Sequence, residues 1–106
     1  MFSKRFINDQ MMETQNLDTE GKKVNGFKVD LPKAPLIFII APKGYIMCGY
    51  LDLGTAEKLG QVAAIVRGVK DFNDVLNAKI SAATTQAMKL GVEEGMLGRD
   101  ALKKMI

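Results

Sequence analysis

Histidine and tryptophan are absent from this chain of 106 residues, and cysteine occurs once. Without histidine there can be no Ser-His-Asp triad, no Cys-His dyad and no histidine-based zinc site. A single cysteine excludes an internal disulfide and a cysteine-rich metal cluster. Long apolar runs are missing too, since the longest, 36–41, is far shorter than a membrane span. No apolar stretch of signal-peptide type follows the basic residues of MFSKRFINDQ, so a cytoplasmic protein with no membrane partner is the expectation. Clustered charge is also lacking. The isoelectric point near 9.1 invites a nucleic-acid reading, yet residues 1–53 carry seven basic and six acidic side chains, and residues 54–106 carry eight and six. A nucleic-acid binder gathers its positive charge on one face. The net charge of +3 is read here as solubilising charge, not as a nucleic-acid footprint.

What is present is ordinary globular composition, 47% apolar and 25% charged. The length suits one domain, 1–106. Surface scaling gives about 5,800 Å² folded against about 17,000 Å² unfolded, enough to bury one modest core.

The hydropathy period changes midway. Gln10–Leu17 reads as a weak strand, followed by turn chemistry at Asp18-Thr19-Glu20-Gly21. Val24–Leu31 reads as a second strand, with Gly26 as a bulge or close-approach point. There Phe27, Val29 and Leu31 alternate with Lys28 and Asp30, which predicts a buried face and a wet one. Leu36–Ile40, apolar on both faces and preceded by Pro32 and Pro35, reads as a buried central strand. Ala41-Pro42-Lys43-Gly44 is a turn, and Tyr45–Leu51 returns as a hairpin partner. Helical signals follow: Thr55 as N-cap of a helix through Leu59, Asp71 as N-cap of a second, Ser81 as N-cap of a third ending at Gly91, and a last helix over Asp100–Ile106. Ile80, Ala83, Thr84, Ala87 and Met88 form the third helix's inner face. Between the first two helices, Val62–Val66 reads as a strand. The order β-β-β-β-α-β-α-α-α argues an α+β domain with a mostly antiparallel N-terminal sheet. The β-rich stretch 1–35 leaves exposed edges that subunit association would cover.

Three places could carry chemistry. The most distinctive is Gly44–Asp52, which holds the one cysteine and both tyrosines. As a strand it puts Ile46, Cys48, Tyr50 and Asp52 on one face. Asp52 would then lie about 13 Å from Cys48 at roughly 3.3 Å per residue, too far to be its base. Activation of a Cys48 thiolate would need Lys43, Arg67, Arg99 or a helix N-terminus; the commoner role of a lone cysteine is that of a small apolar residue. Gly49 next to it either admits a neighbouring element or opens the backbone to a ligand. The second place is Gly95-Met96-Leu97-Gly98-Arg99-Asp100, where glycines precede a helix and could present N–H groups to an anion. The spacing matches neither the Rossmann fingerprint nor the P-loop. The third is Arg67-Gly68, at the end of the later strand.

Three stretches, VDLPKAPLIFIIAPKGYIMCGYLD, AAIVRGVKDFNDVL and GVEEGMLGRDALKKMI, resemble the YunC-like proteins, small bacterial and archaeal proteins of unknown function. The resemblance spans roughly residues 10–106 and departs from the family at Leu97, where a small hydroxyl residue is associated with the position. It implies an α+β fold whose N-terminal strands build a homotetramer. It brings no activity, substrate or cofactor. It directs attention to Gly44, Tyr45, Cys48, Gly49 and Asp52, and to Gly95, Gly98 and Arg99, without assigning them roles.

The reading that follows is a homo-oligomeric binding or assembly module. Its rival is a cysteine-dependent enzyme or thiol sensor centred on Cys48, with Arg67 or Arg99 lowering the thiol pKa or holding an anionic substrate. No motif names a nucleotide, metal or coenzyme, so cofactor and ligand stay unassigned.

Overall fold

Seven strands lie side by side in the order in which the chain writes them. The computed structural model describes residues 3–7, 12–19 and 22–106; the expected turn residues Glu20 and Gly21 lie outside these. The strands are β1 (Ser3–Ile7), β2 (Met12–Thr19), β3 (Lys22–Val29), β4 (Leu36–Ile40), β5 (Tyr45–Met47), β6 (Ala63–Ile65) and β7 (Ala82–Ala83). The helices are α1 (Leu53–Lys58), α2 (Phe72–Asn77), α3 (Thr85–Lys89) and α4 (Gly98–Lys104). Every pairing is antiparallel except β5 with β6, which is parallel and therefore needs a crossover. That crossover carries α1. The fold is α+β, as expected, with one domain's worth of core.

Directly paired residues share a face, so the register sorts the sheet. On one face lie Leu17, Val24, Ile37, Ile39, Ile46 and Ala64, all buried. Phe72 and Val75 of α2 and Leu102 and Met105 at α4 join them in the main core. On the other face Met47, Ala63 and Ile65 pack against Ala56 and Leu53 of α1. The C-terminal half is therefore covered on both sides. In the N-terminal half the second face has no helix over it. There Phe27 and Phe38 stack at 5.1 Å between ring centroids, both half-buried, and Ile40 is 41% exposed.

Four expectations are corrected. The strand at 22–29 buries Val24 and Gly26, not Phe27, Val29 and Leu31. A Cβ at Gly26 would lie 2.5 Å from the Phe72 ring, so glycine is what admits α2 onto that face; the register runs on without an extra residue, which excludes a bulge. The strand at Tyr45 ends at Met47, because the Leu51 N–H turns back to the Cys48 carbonyl at 3.2 Å. The helix expected from Ser81 is a short strand followed by a shorter helix. The Ser81 N–H donates to Ile65 O at 2.8 Å, and Thr84 is the cap, its hydroxyl accepting from Ala87 N–H at 3.2 Å. Met88 consequently faces outward, 54% exposed. Finally, the α1 cap is Asp52, not Thr55. Strand β1, with its polar Ser3-Lys4-Arg5, is an added edge strand that its composition does not announce. The cap at Asp71 is as expected, its carboxylate accepting from Asp74 N–H at 2.7 Å.

Candidate functional site

The nominated residues fall into three places. Gly44 and Tyr45 open β5. A Cβ at Gly44 would sit 2.5 Å from Val62 Cγ1 and 2.6 Å from Val62 O, so this glycine lets the hairpin loop close on the strand beside it. Tyr45 donates its hydroxyl to Gln61 Oε1 at 2.6 Å. Both tie the β4–β5 hairpin to the entry of β6, alongside a shallow depression of about 370 Å³ lined by Ile40, Lys43 and Gln61 among others.

Gly95, Gly98 and Arg99 gather where α4 crosses the end of α2. Gly95 has a positive φ of 88° and donates its N–H to Ile80 O at 2.8 Å. A Cβ at Gly98 would overlap the Val75 carbonyl, 2.0 Å away, and the Gly98 N–H is bonded to Ala78 O at 2.7 Å. The Asp100 and Ala101 N–H groups donate to Leu97 O. These four donors, which an anion cradle would use here, are already paired. Leu97 makes no side-chain cap, and Arg99 donates to Asn77 Oδ1, lashing α4 to α2. This place holds the fold together.

Cys48, Gly49, Asp52 and Arg67 lie around the carboxyl ends of the parallel pair β5 and β6. Cys48 is 4% exposed within the main core. Its N–H donates to Ile37 O at 3.0 Å, and its sulfur accepts from Ile37 N–H at 3.4 Å, so the thiol continues the pairing with β4 beyond the end of β5. Asp52 accepts from Gly54 N–H at 2.9 Å and from the Thr55 hydroxyl at 2.7 Å. Those hydrogen bonds, Thr55 first and Gly54 next, hold its carboxyl below the ordinary 3.8. It is the N-cap of α1, its carboxylate engaged by Gly54 and Thr55. Arg67 is exposed just past β6, and an ideal Cβ on Gly49 would lie 3.0 Å from its Nη1. The pairing of Arg67 with Gly49 is the one juxtaposition of nominated residues that the fold's internal bonding does not consume. Tyr50, read from the sequence only as a strand residue, is 52% exposed beside it and reaches Ala34 O with its hydroxyl at 3.4 Å. A tyrosine next to a glycine in a turn was the available signal.

Among the described residues no group of three or more metal-ligating side chains could hold an ion, and no helix is long and apolar enough to cross a membrane.

Comparison with known proteins places this geometry. Residues 47–105, which carry β6, β7 and all four helices and begin at the last residue of β5, match the family model described as "Domain of unknown function (DUF1805)". The uncharacterized protein YunC of Bacillus subtilis is 40% identical over 91 residues, covering 82% of this chain and 90% of that one. The crystal structure of a protein of unknown function, TA1206 from Thermoplasma acidophilum, superposes with a TM-score of 0.87 at 39% identity, covering 96% of this chain and all of that chain. Sequence and fold agree over nearly the whole length, and the chain belongs to the DUF1805, YunC-like family of unknown function.

Proposed function

We propose that this protein is a homo-oligomeric assembly module, a tetramer as the family resemblance implies, joined through the open face of β2–β4. One observation carries the reading. The alternation Phe27-Lys28-Val29-Asp30-Leu31 is that of a strand with a buried apolar face, yet in the single chain Phe27 and Val29 are only half-buried and Leu31 is 37% exposed. The cover that this pattern anticipates has to come from another chain. A second copy fits best, because the centre of this face, Thr14 and Asn16 of β2, Asn25, Phe27 and Val29 of β3, and Phe38 and Ile40 of β4, is uncharged, while in the register Arg5 and the opposite-charge pair Asp18 and Lys23 flank it. In a two-fold contact each side chain meets its own patch, so a centre without charge pairs with itself without like-charge repulsion. The accessible surface of 6,359 Å² also exceeds the ~5,800 Å² that scaling gives a folded monomer of this mass.

The thiol-centred reading is not favoured, since Cys48 is buried and its sulfur already accepts a backbone N–H. One unpaired cysteine suits a reducing compartment, and the cytoplasm is the location that goes with this reading. Sedimentation at micromolar concentration tests it. An oligomer that Phe38→Glu converts to a folded monomer is the expected result; a wild-type monomer overturns the proposal.

A further inference from the structure

The two nominated arginines have different fates. Arg99 is spent on Asn77, whereas Arg67 donates to no acceptor among the described residues. It stands where β6 ends, at the carboxyl end of the parallel pair β5 and β6. Across from it, at the end of β5, the turn 48–51 closes on Leu51 N–H, and the Gly49 and Tyr50 N–H groups have no protein acceptor among the described residues.

We propose that Arg67 and the exposed Gly49-Tyr50 turn form a binding site for a small oxyanion, the phosphate or carboxylate group of a soluble ligand. Distance supports this. Arg67 Nη1 is 3.0 Å from where a Gly49 Cβ would be, so it lies within about 4.5 Å of Gly49 Cα, one bond length further. The Tyr50 nitrogen is two bonds beyond, within roughly 7 Å of the guanidinium. One oxyanion, hydrogen-bonded on opposite sides at about 2.9 Å each, spans that gap. Charge supports it as well: a planar guanidinium presents paired donors to phosphate or carboxylate, and successive unpaired backbone N–H groups favour anions. The glycine has a reason in this arrangement. A side chain at position 49 would meet Nη1 at 3.0 Å and shift the guanidinium away from the turn. The site is separate from the open sheet face and does not rest on assembly.

Amide chemical shifts of the full chain, titrated with inorganic phosphate and in parallel with succinate at constant chloride, test the site. Saturable shifts at Gly49 and Tyr50 in the millimolar range are expected. Arg67→Gln should weaken them at least about tenfold, and Arg99→Gln should leave them unchanged. Stronger binding of phosphate assigns a phosphoryl ligand and stronger binding of succinate a carboxylate; either supports the site. Absence of shifts at these two amides up to about 10 mM, ten times a millimolar Kd, overturns it, as does equal binding by Arg67→Gln. Arg67 is exposed and supports no other residue, so that variant should fold; Arg67→Lys, which keeps the charge but loses the fork, should bind with intermediate affinity. Phosphate titration of the Phe38→Glu variant separates the two proposals, since the site should survive the loss of the oligomer.

Discussion

The two halves of the sheet treat their apolar residues differently. From β5 to β7 both faces are covered: Ile46 and Ala64 lie under α2 and α4, and Met47, Ala63 and Ile65 under α1. From β2 to β4 only one face is covered, and the stacked rings of Phe27 and Phe38 are left half-exposed on the other. A covered sheet accounts for its own hydrophobic pattern within one chain. An open one carries a pattern written for a surface the chain does not contain. The contrast separates residues that specify the fold from residues available for other contacts.

Substitutions can break or sharpen that contrast. The largest effect is expected at Gly98→Ala. A methyl group would meet the Val75 carbonyl at 2.0 Å, and backbone, not a flexible side chain, would have to move. Destabilisation of about 3 kcal/mol, at the upper end for overpacking, should appear in denaturant unfolding. Thr84→Val comes next. One hydroxyl donates to Gln61 O at 2.7 Å and accepts from Ala63 and Ala87 N–H at 3.1 and 3.2 Å. Removing it orphans three buried or part-buried groups, and about 2 kcal/mol of stability should be lost. Phe27→Asp should behave oppositely, costing the fold on the order of 1 kcal/mol while dissociating the oligomer in sedimentation. Equal losses of stability at Phe27 and Thr84 would erase the distinction between the halves.

Smaller effects complete the series. Cys48 should react with iodoacetamide slowly in the native state and rapidly once denaturant is added, since its sulfur is buried; fast native alkylation would restore the thiol reading. The smallest effect concerns Asp52. Its carboxyl is held below 3.8 in the folded chain, so its contribution to α1 is present above that value and is lost as pH falls through the lower folded value. Acid unfolding of Asp52→Asn should accordingly be less steep in that window than that of the native sequence.

How much of this was legible depended on whether local chemistry decided the outcome. Leu36–Ile40 takes the central place its apolar run suggests, although it buries only the face of Ile37 and Ile39, and Asp71 followed by Asp74 begins a helix as expected. Ser81 and Thr84 are both good caps, and the choice fell to Thr84 because the Ser81 N–H is drawn to the end of β6, a contact between residues 16 apart in the chain. The buried face of β3 differs from the expected one for a similar reason. Its apolar alternation is correct, but Gly26 hands the opposite face to Phe72. Among the nominated site residues, chemical type alone could not separate Arg67 from Arg99. Only the placement of Asn77 beside Arg99 shows which guanidinium is already engaged.

The sequential strand order bears on how the protein forms. Each strand hydrogen-bonds to the strand that precedes it in the chain, from β1 to β7, so no pairing waits for a distant segment to arrive. Loop-closure entropy is met in short instalments, and such topologies fold fast for their β content. The longest waits are the two connections on either side of β6, 48–62 and 66–81, whose pairings join residues 17 to 19 positions apart. On the ribosome the first four strands can therefore assemble, with the face of Phe27 and Phe38 exposed, before the helices that cover the opposite side have been synthesised.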